Sequence, residues 1–306
     1  MKLATYEAIV QKLHTLNLRN CLDEVQCCFP DVDITTLRSI ISTEVQRNTR
    51  RTYHILMSPT VANEHYNYFK ACVAAYETPG FLLRYADKQG VSPALMARLI
   101  IEKHHEGEAE RPSKQDINEM LRNSACIQDG ALAAEVFICL VNDNIYGPLG
   151  DAMKSSIGLE YEIHLKTQLK ALGLAFVDED ALRDRGYDKT PDVKLEVPIV
   201  VEGTIVTWVE SKAQFGDPEC HRTYSRDQYQ SYWNRFGRGL VIYWFGFVDE
   251  IVGSRNEGFI IRDHMPKNVV RMEDAMAVED DPMDNGAFSK TYDCIRVRSS
   301  SSFTPV

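Results

Sequence analysis

Thr190-Pro191-Asp192 and Val209-Glu210-Ser211-Lys212 decide the reading of this chain. Each sits on a short apolar run, 193–201 and 204–209, and Glu202-Gly203 between them is an acidic-Gly turn signal. The pattern predicts a β-hairpin. Glu210 and Lys212 are two apart on its second strand, so both side chains leave the same face. Asp192 opens the first strand, behind a proline that keeps Thr190 extended. The hairpin would bring Asp192 beside Glu210. Two carboxylates with a lysine next to them make a site for a hard cation with a built-in positive charge. The pieces alone are common: Pro30-Asp31 and Asp192/Lys194 repeat them, and a surface hairpin with ordinary charges fits them as well.

The flanking sequence adds to the site. Upstream, 159–172 has helical periodicity, with Gly173 in place as the residue past its end. Glu162, Leu165, Leu169 and Leu172 fall on one stripe, and Glu160 points nearly opposite. A carboxylate on an apolar stripe is costly unless it is paired or binds metal, which favours Glu162 over Glu160. The competing reading is a rim glutamate that reaches water past Leu159. Residues 174–177 predict a short strand and 178–188 a polar segment. Downstream, 220–236 is a long helix on which Gln228 and Tyr232, four apart, share a face. Arg222, Arg226, Arg235 and Arg238 cluster around it, either to contact a nucleic-acid backbone or as solvated helix charges. Gly237-Arg238-Gly239 ends the helix. Residues 240–245 are apolar throughout and predict a central buried strand, with 258–261 as the last one. This order of elements predicts a mixed sheet with helices on its faces, an α/β sandwich.

Residues 1–150 read as a helical domain. Asp33 is a candidate N-cap for a helix that continues into Arg47, Arg50 and Arg51. Ser92-Pro93 fits the first positions of another helix, running to His104. Both regions have helix-turn-helix spacing; solvated helix ends and a structural hairpin are the simpler readings. Gly147-Pro148 and Gly150 suggest a linker, so the sheet domain is taken as 151–271. Beyond it, 272–306 carries six acids between 273 and 284 and a serine run, and is expected to lack order.

Composition limits the function. With 306 residues, 44% hydrophobic and 25% charged, the chain is an ordinary globular one of one or two domains. No stretch approaches the ~18 apolar residues of a membrane span, and the first residues lack a signal-peptide core. Eight cysteines without a Cys-x-x-Cys argue against structural zinc and read as reduced thiols of an intracellular protein. A net charge of −10 is unsuited to binding nucleic acid over the whole surface, so such binding needs a local patch or a metal.

The helix of Glu162, the Pro191-Asp192 strand, Glu210-Ser211-Lys212 and Gln228-x-x-x-Tyr232 together resemble the PD-(D/E)xK nuclease superfamily. The longer phrases GYDKTPDVKLEVPI (186–199), TWVESKAQFGD (207–217) and SYWNRFGRGLVIYWFGF (231–247) resemble its TPD-motif family. The match is best over 156–262, and SPALMARLIIEKH (92–104) extends it into the helical half. The resemblance implies hydrolysis of nucleic-acid phosphodiesters, DNA above all, with Mg²⁺ or Mn²⁺. It implies Asp192, Glu210, the Ser211 carbonyl and Glu162 as metal ligands, and Lys212 as the group that positions water and stabilises charge. Gln228 and Tyr232 become accessory residues. It also implies a nuclear, partly cytoplasmic protein that binds codanin in a chromatin-related pathway. A second class of function fits the same resemblance: a non-catalytic module on a nuclease fold that works by binding codanin.

Overall fold

Asp33, Ser92, Ser113 and Asp129 each turn a side-chain oxygen onto backbone amides two or three residues further on, and helices start there. The computed structural model describes residues 1–18, 20–107, 111–252, 258–272 and 274. Apart from 272 and 274, the acidic tail lies outside the described residues. The chain divides into two compact units, Lys2–Leu159 and Glu160–Val306 with Met1.

The first unit is helical: α1 (Leu3–Leu13), α2 (Leu22–Cys28), α3 (Ile34–Leu56), α4 (Pro59–Ala74), α5 (Phe81–Gln89), α6 (Pro93–His104), α7 (Lys114–Arg122), α8 (Gly130–Val141) and the start of α9 (Gly147–Ala171). Its core packs Leu82, Leu99, Ile100, Leu132 and Val136, all essentially without exposure. Two buried carboxylates hold helix starts from a distance. Glu135 on α8 accepts from Gly80 N at 2.7 Å and Leu82 N at 2.8 Å, at the beginning of α5. Asp143 accepts from Ser92 Oγ at 2.5 Å and Ala94 N at 3.2 Å, at the beginning of α6. Helix α9 begins earlier than its periodicity suggests. Gly147-Pro148 forms its first residues rather than a linker, because a proline at a helix start lacks only an amide that would be unpaired anyway. Among the described residues no helix is long and apolar enough to cross a membrane.

The second unit is the expected mixed sheet. Its strands are β1 (Phe176–Asp178), β2 (Val193–Val201), β3 (Thr204–Lys212), β4 (Gly239–Tyr243), β5 (Phe259–Arg262) and β6 (Val269–Val270). The first three run antiparallel as neighbours, β4 and β5 continue parallel to β3, and β6 pairs with β2. Glu202 and Gly203 both take positive φ, 51° and 76°, which is the conformation a two-residue hairpin turn of matching twist requires. The 178–188 segment, read only as polar, contains a short helix, α10 (Glu179–Asp184), capped by Asp178. Its one buried side chain, Leu182, is too little for periodicity to show. Helices α11 (Pro218–Tyr224) and α12 (Gln230–Phe236) are the two halves of the expected long helix, joined by a π-helical turn at Ser225–Tyr229.

Alternation along β3 divides the sheet faces. Val209 packs with Leu165 and Leu169 of α9. Trp208, Glu210 and Lys212 therefore face the α11–α12 side. There Trp208 stacks on Tyr229 and meets Tyr232 edge-on at 5.4 Å. Gly239 in β4 makes room for this ring, since a Cβ would fall 2.1 Å from the indole.

Candidate active site

The ladder between β2 and β3 pairs Val193 with Val209, so Asp192 and Glu210 meet one step beyond it. Ser211 N donates to Asp192 Oδ2 at 2.6 Å, and Asp192 N donates to Glu210 Oε2 at 3.3 Å. Lys212 Nζ donates to Glu210 Oε1 at 2.5 Å and to Gln228 Oε1 at 3.1 Å. Its ammonium lies 4.9 Å from the ring centre of Tyr224. In an extended strand the N–H and C=O of one residue point to the same edge, so the Ser211 carbonyl also leaves on the Asp192 side. On the opposite face of β3, Ser211 Oγ accepts from Trp244 Nε1 at 2.8 Å.

Burial pushes the Asp192 carboxyl well above the usual carboxylate range, and the Glu210 charge adds to it; Lys212 and the Ser211 amide work against the shift. Glu162 also raises Asp192, which places this α9 carboxylate within its field. Glu210 is raised too, by burial, with Lys212 opposing. Burial alone would lower Lys212, but Glu210 and Asp192 outweigh it and hold the ammonium above its ordinary value. Tyr232 is a core residue whose hydroxyl is raised by burial and then by Glu210 and Asp192.

The structure thus joins Asp192, Glu210, Ser211, Lys212 and Gln228 by direct hydrogen bonds. Tyr232 packs on Trp208, and Glu162 reaches Asp192 only through its charge. Glu160 is exposed. The four arginines are less uniform. Arg222 and Arg226 are exposed, and Arg226 is paired with its neighbour Asp227 at 2.6 Å. Arg235 is tied to Asp188 at 2.8 Å and lies over Tyr187. Arg238 is partly buried, and its carbonyl accepts from Thr207.

Two contributors escaped the sequence reading. Glu179, on the unexpected α10, accepts from Thr190 Oγ1 at 3.1 Å and from Arg183 at 2.6 Å, and its charge raises Glu210. This gives the motif threonine a role, which its place directly before Pro191-Asp192 signals only in hindsight. Tyr224 is the other; it precedes Gln228 by one helical turn, a spacing that was available to read.

The donor set can be tested against a metal. Glu210, which is buried, and Asp192, which is partly buried, have one ammonium between them, paired to Glu210, which leaves an excess of negative charge and carboxyls destabilised as anions. The donors are all oxygen, and one or two carboxylates plus waters is what Mg²⁺ takes. The residues therefore fit a hard divalent cation. Among the described residues no three His, Cys, Asp or Glu side chains already converge as a ligand cage.

Comparison with known proteins follows the same residues. The family model described as a protein of unknown function with a TPD sequence motif matches residues 128–265. The chain is similar to CDAN1-interacting nuclease 1 of Xenopus laevis, 42% identical over 282 residues, covering 91% of this chain and 92% of that protein. It is similar to the Homo sapiens protein of the same name, 43% identical over 271 residues, covering 88% of this chain and 96% of that protein. The Danio rerio protein, also of that name, is 43% identical over 268 residues, covering 87% and 89%. No solved structure matches.

Proposed function

Because the chain belongs to the family of CDAN1-interacting nucleases, we propose that it is a metal-dependent nuclease that hydrolyses phosphodiesters of DNA and works with codanin, in the nucleus and partly in the cytoplasm. The observation that carries this reading is the meeting of Asp192, Glu210 and Lys212 at one end of the β2–β3 hairpin. A scaffold has no physical need to set a partly buried carboxylate beside a buried one with a single ammonium.

Asp192, Glu210 and the Ser211 carbonyl would hold Mg²⁺ or Mn²⁺, with Glu162 at the edge of the set. The metal, when bound, polarises the phosphate and makes a coordinated water a better nucleophile. Ser211 N fixes the rotamer of Asp192, so the carboxylate is oriented before any ligand arrives. Lys212 supplies positive charge where the phosphate gains negative charge, held between Glu210 and Gln228. Tyr232 walls the site on the Trp208 side. Arg222 and Arg226 are exposed on the 218–236 helix and would meet the substrate backbone, Arg226 by exchanging Asp227 for a phosphate. A chain of net charge −10 then binds DNA through this patch alone, so its affinity falls with salt on the shallow slope of a few phosphate contacts.

The test is cleavage of a panel of DNA structures by wild type and Lys212→Met, with Mg²⁺, with Mn²⁺ and with chelator, alongside a codanin pull-down. Metal-dependent cleavage by wild type that is lost in the variant supports the reading. Codanin binding by both proteins, with no cleavage by either, replaces it with the non-catalytic module.

A further inference from the structure

We propose that Tyr224 is a positioning residue for the Lys212 ammonium, which its ring face seats independently of the carboxylates. The inference deepens the nuclease reading and rests on it for its kinetic consequence, though not for its geometry.

Lys212 has four neighbours that matter. Glu210 Oε1 and the Asp192 charge are anionic, and both residues belong to the proposed ligand set. Gln228 Oε1 at 3.1 Å and the Tyr224 ring at 4.9 Å are neutral and belong to no ligand set. If the carboxylates are shared with any cation, these two are what keeps the ammonium in place. They differ in kind. Gln228 uses one of the three N–H donors of the ammonium. The ring attracts the whole charge through its quadrupole, and at this distance it does not consume a donor. With Glu210 taking one N–H and Gln228 another, the third is left for an oxygen of the substrate.

The ring is itself held. Tyr224 Oη donates to Gln214 Oε1 at 3.2 Å, and Gln214 lies two residues beyond Lys212 in the chain. Tyr224 closes α11, and the π-helical turn that follows carries Gln228. The two residues are four apart, so both point to Lys212 from one side of the helix. Such turns are rare and cluster at functional sites. A third carboxylate in place of the ring would hold the ammonium more tightly, but it would add to the buried excess of negative charge. A neutral π-face avoids that.

The test uses the full chain labelled with ¹³C-lysine. The Lys212 side-chain resonance is assigned by its loss in Lys212→Arg. A ring face near the ammonium shifts the neighbouring CH₂ protons upfield. We expect that shift in wild type and in Tyr224→Phe, and its loss in Tyr224→Leu. If Tyr224→Leu does not fold, Tyr224→Met fills the same space without a ring and is expected to behave likewise. In turnover, Tyr224→Leu is expected to lose ~10-fold in kcat with KM little changed, and Tyr224→Phe to recover most of it. A Lys212 resonance without the upfield shift in wild type overturns the proposal. So does a resonance, or a kcat, that is the same in wild type and in the folded ring-less variant. A wild type that shows the shifted resonance but cleaves nothing leaves the seat standing and refutes the nuclease reading.

Discussion

Ser211 N–H reaches across the hairpin to Asp192 Oδ2 at 2.6 Å, one step past the last ladder pair of β2 and β3. The bond replaces a ladder hydrogen bond with a side-chain one, so the sheet itself orients the carboxylate.

Asp192→Asn keeps the acceptor for that amide and removes the negative charge beside the buried Glu210. Metal binding, read by calorimetry, is expected to be lost, and cleavage to fall ~10²–10³-fold. The melting temperature is expected to hold or rise, because a raised carboxyl is replaced by a neutral group. A clear fall in melting temperature would mean that the carboxylate stabilises the fold rather than a ligand.

Lys212→Met should behave differently. Glu210 is 3% exposed and Lys212 17%, so removing the ammonium leaves carboxylates buried without a countercharge. The expected loss of stability is about 3 kcal/mol. Mg²⁺ should restore it, so the rise in melting temperature on adding Mg²⁺ is expected to be larger in the variant than in wild type. Equal rises would show that Lys212 does not compete with the cation, and no rise in either protein that no divalent cation binds at these carboxylates.

His221 gives a pH dependence away from the carboxylates. Its ring sits between Tyr243 Oη at 3.1 Å and Ser225 Oγ at 3.3 Å, and burial lowers its pKa from 6.5 to about 4, with Asp217 opposing. The unfolded chain binds the proton more readily between these values. Stability is therefore complete above pH 6.5 and declines as pH falls toward 4, by about 3 kcal/mol from this residue. Urea unfolding of wild type and His221→Gln across pH 4 to 7 reads it: the wild-type curve should slope more steeply, and parallel curves would exclude His221 as the source.

Glu135 concerns the helical unit. Its two oxygens accept from Gly80 N and Leu82 N, and no solvent reaches them. Glu135→Ala leaves those donors buried without acceptors and is expected to cost about 3 kcal/mol. Glu135→Gln keeps one acceptor and should cost clearly less. Thermal melts of both variants check the order, and equal losses would assign the effect to packing instead.

The hairpin and its site were legible because their signals are local. Period-2 alternation, an acidic-Gly turn and a proline before Asp192 all act within a few residues. Glu162 reads in the sequence as a polar break in an apolar stripe, and the structure shows its charge acting on Asp192. The rest depends on partners far along the chain. Glu135 sits in the run GALAAEVFICLV as one more helix-forming residue, and its amides lie more than fifty positions upstream. Helix α10 buries one side chain and shows no period, so Glu179 could not be placed near Glu210. The start of α9 was misplaced because glycine and proline punctuate both linkers and helix beginnings.

The π-helical turn at Ser225–Tyr229 also sets a constraint on chain length. It amounts to one surplus residue in the helix that follows β3. Losing any residue there would convert it to regular α-helix and rotate everything after it by about 100° relative to everything before. Tyr232 could then stay against Trp208 only if Tyr224 swung away from Lys212, or the reverse. Substitutions are absorbed more easily in this stretch than a deletion of a single codon.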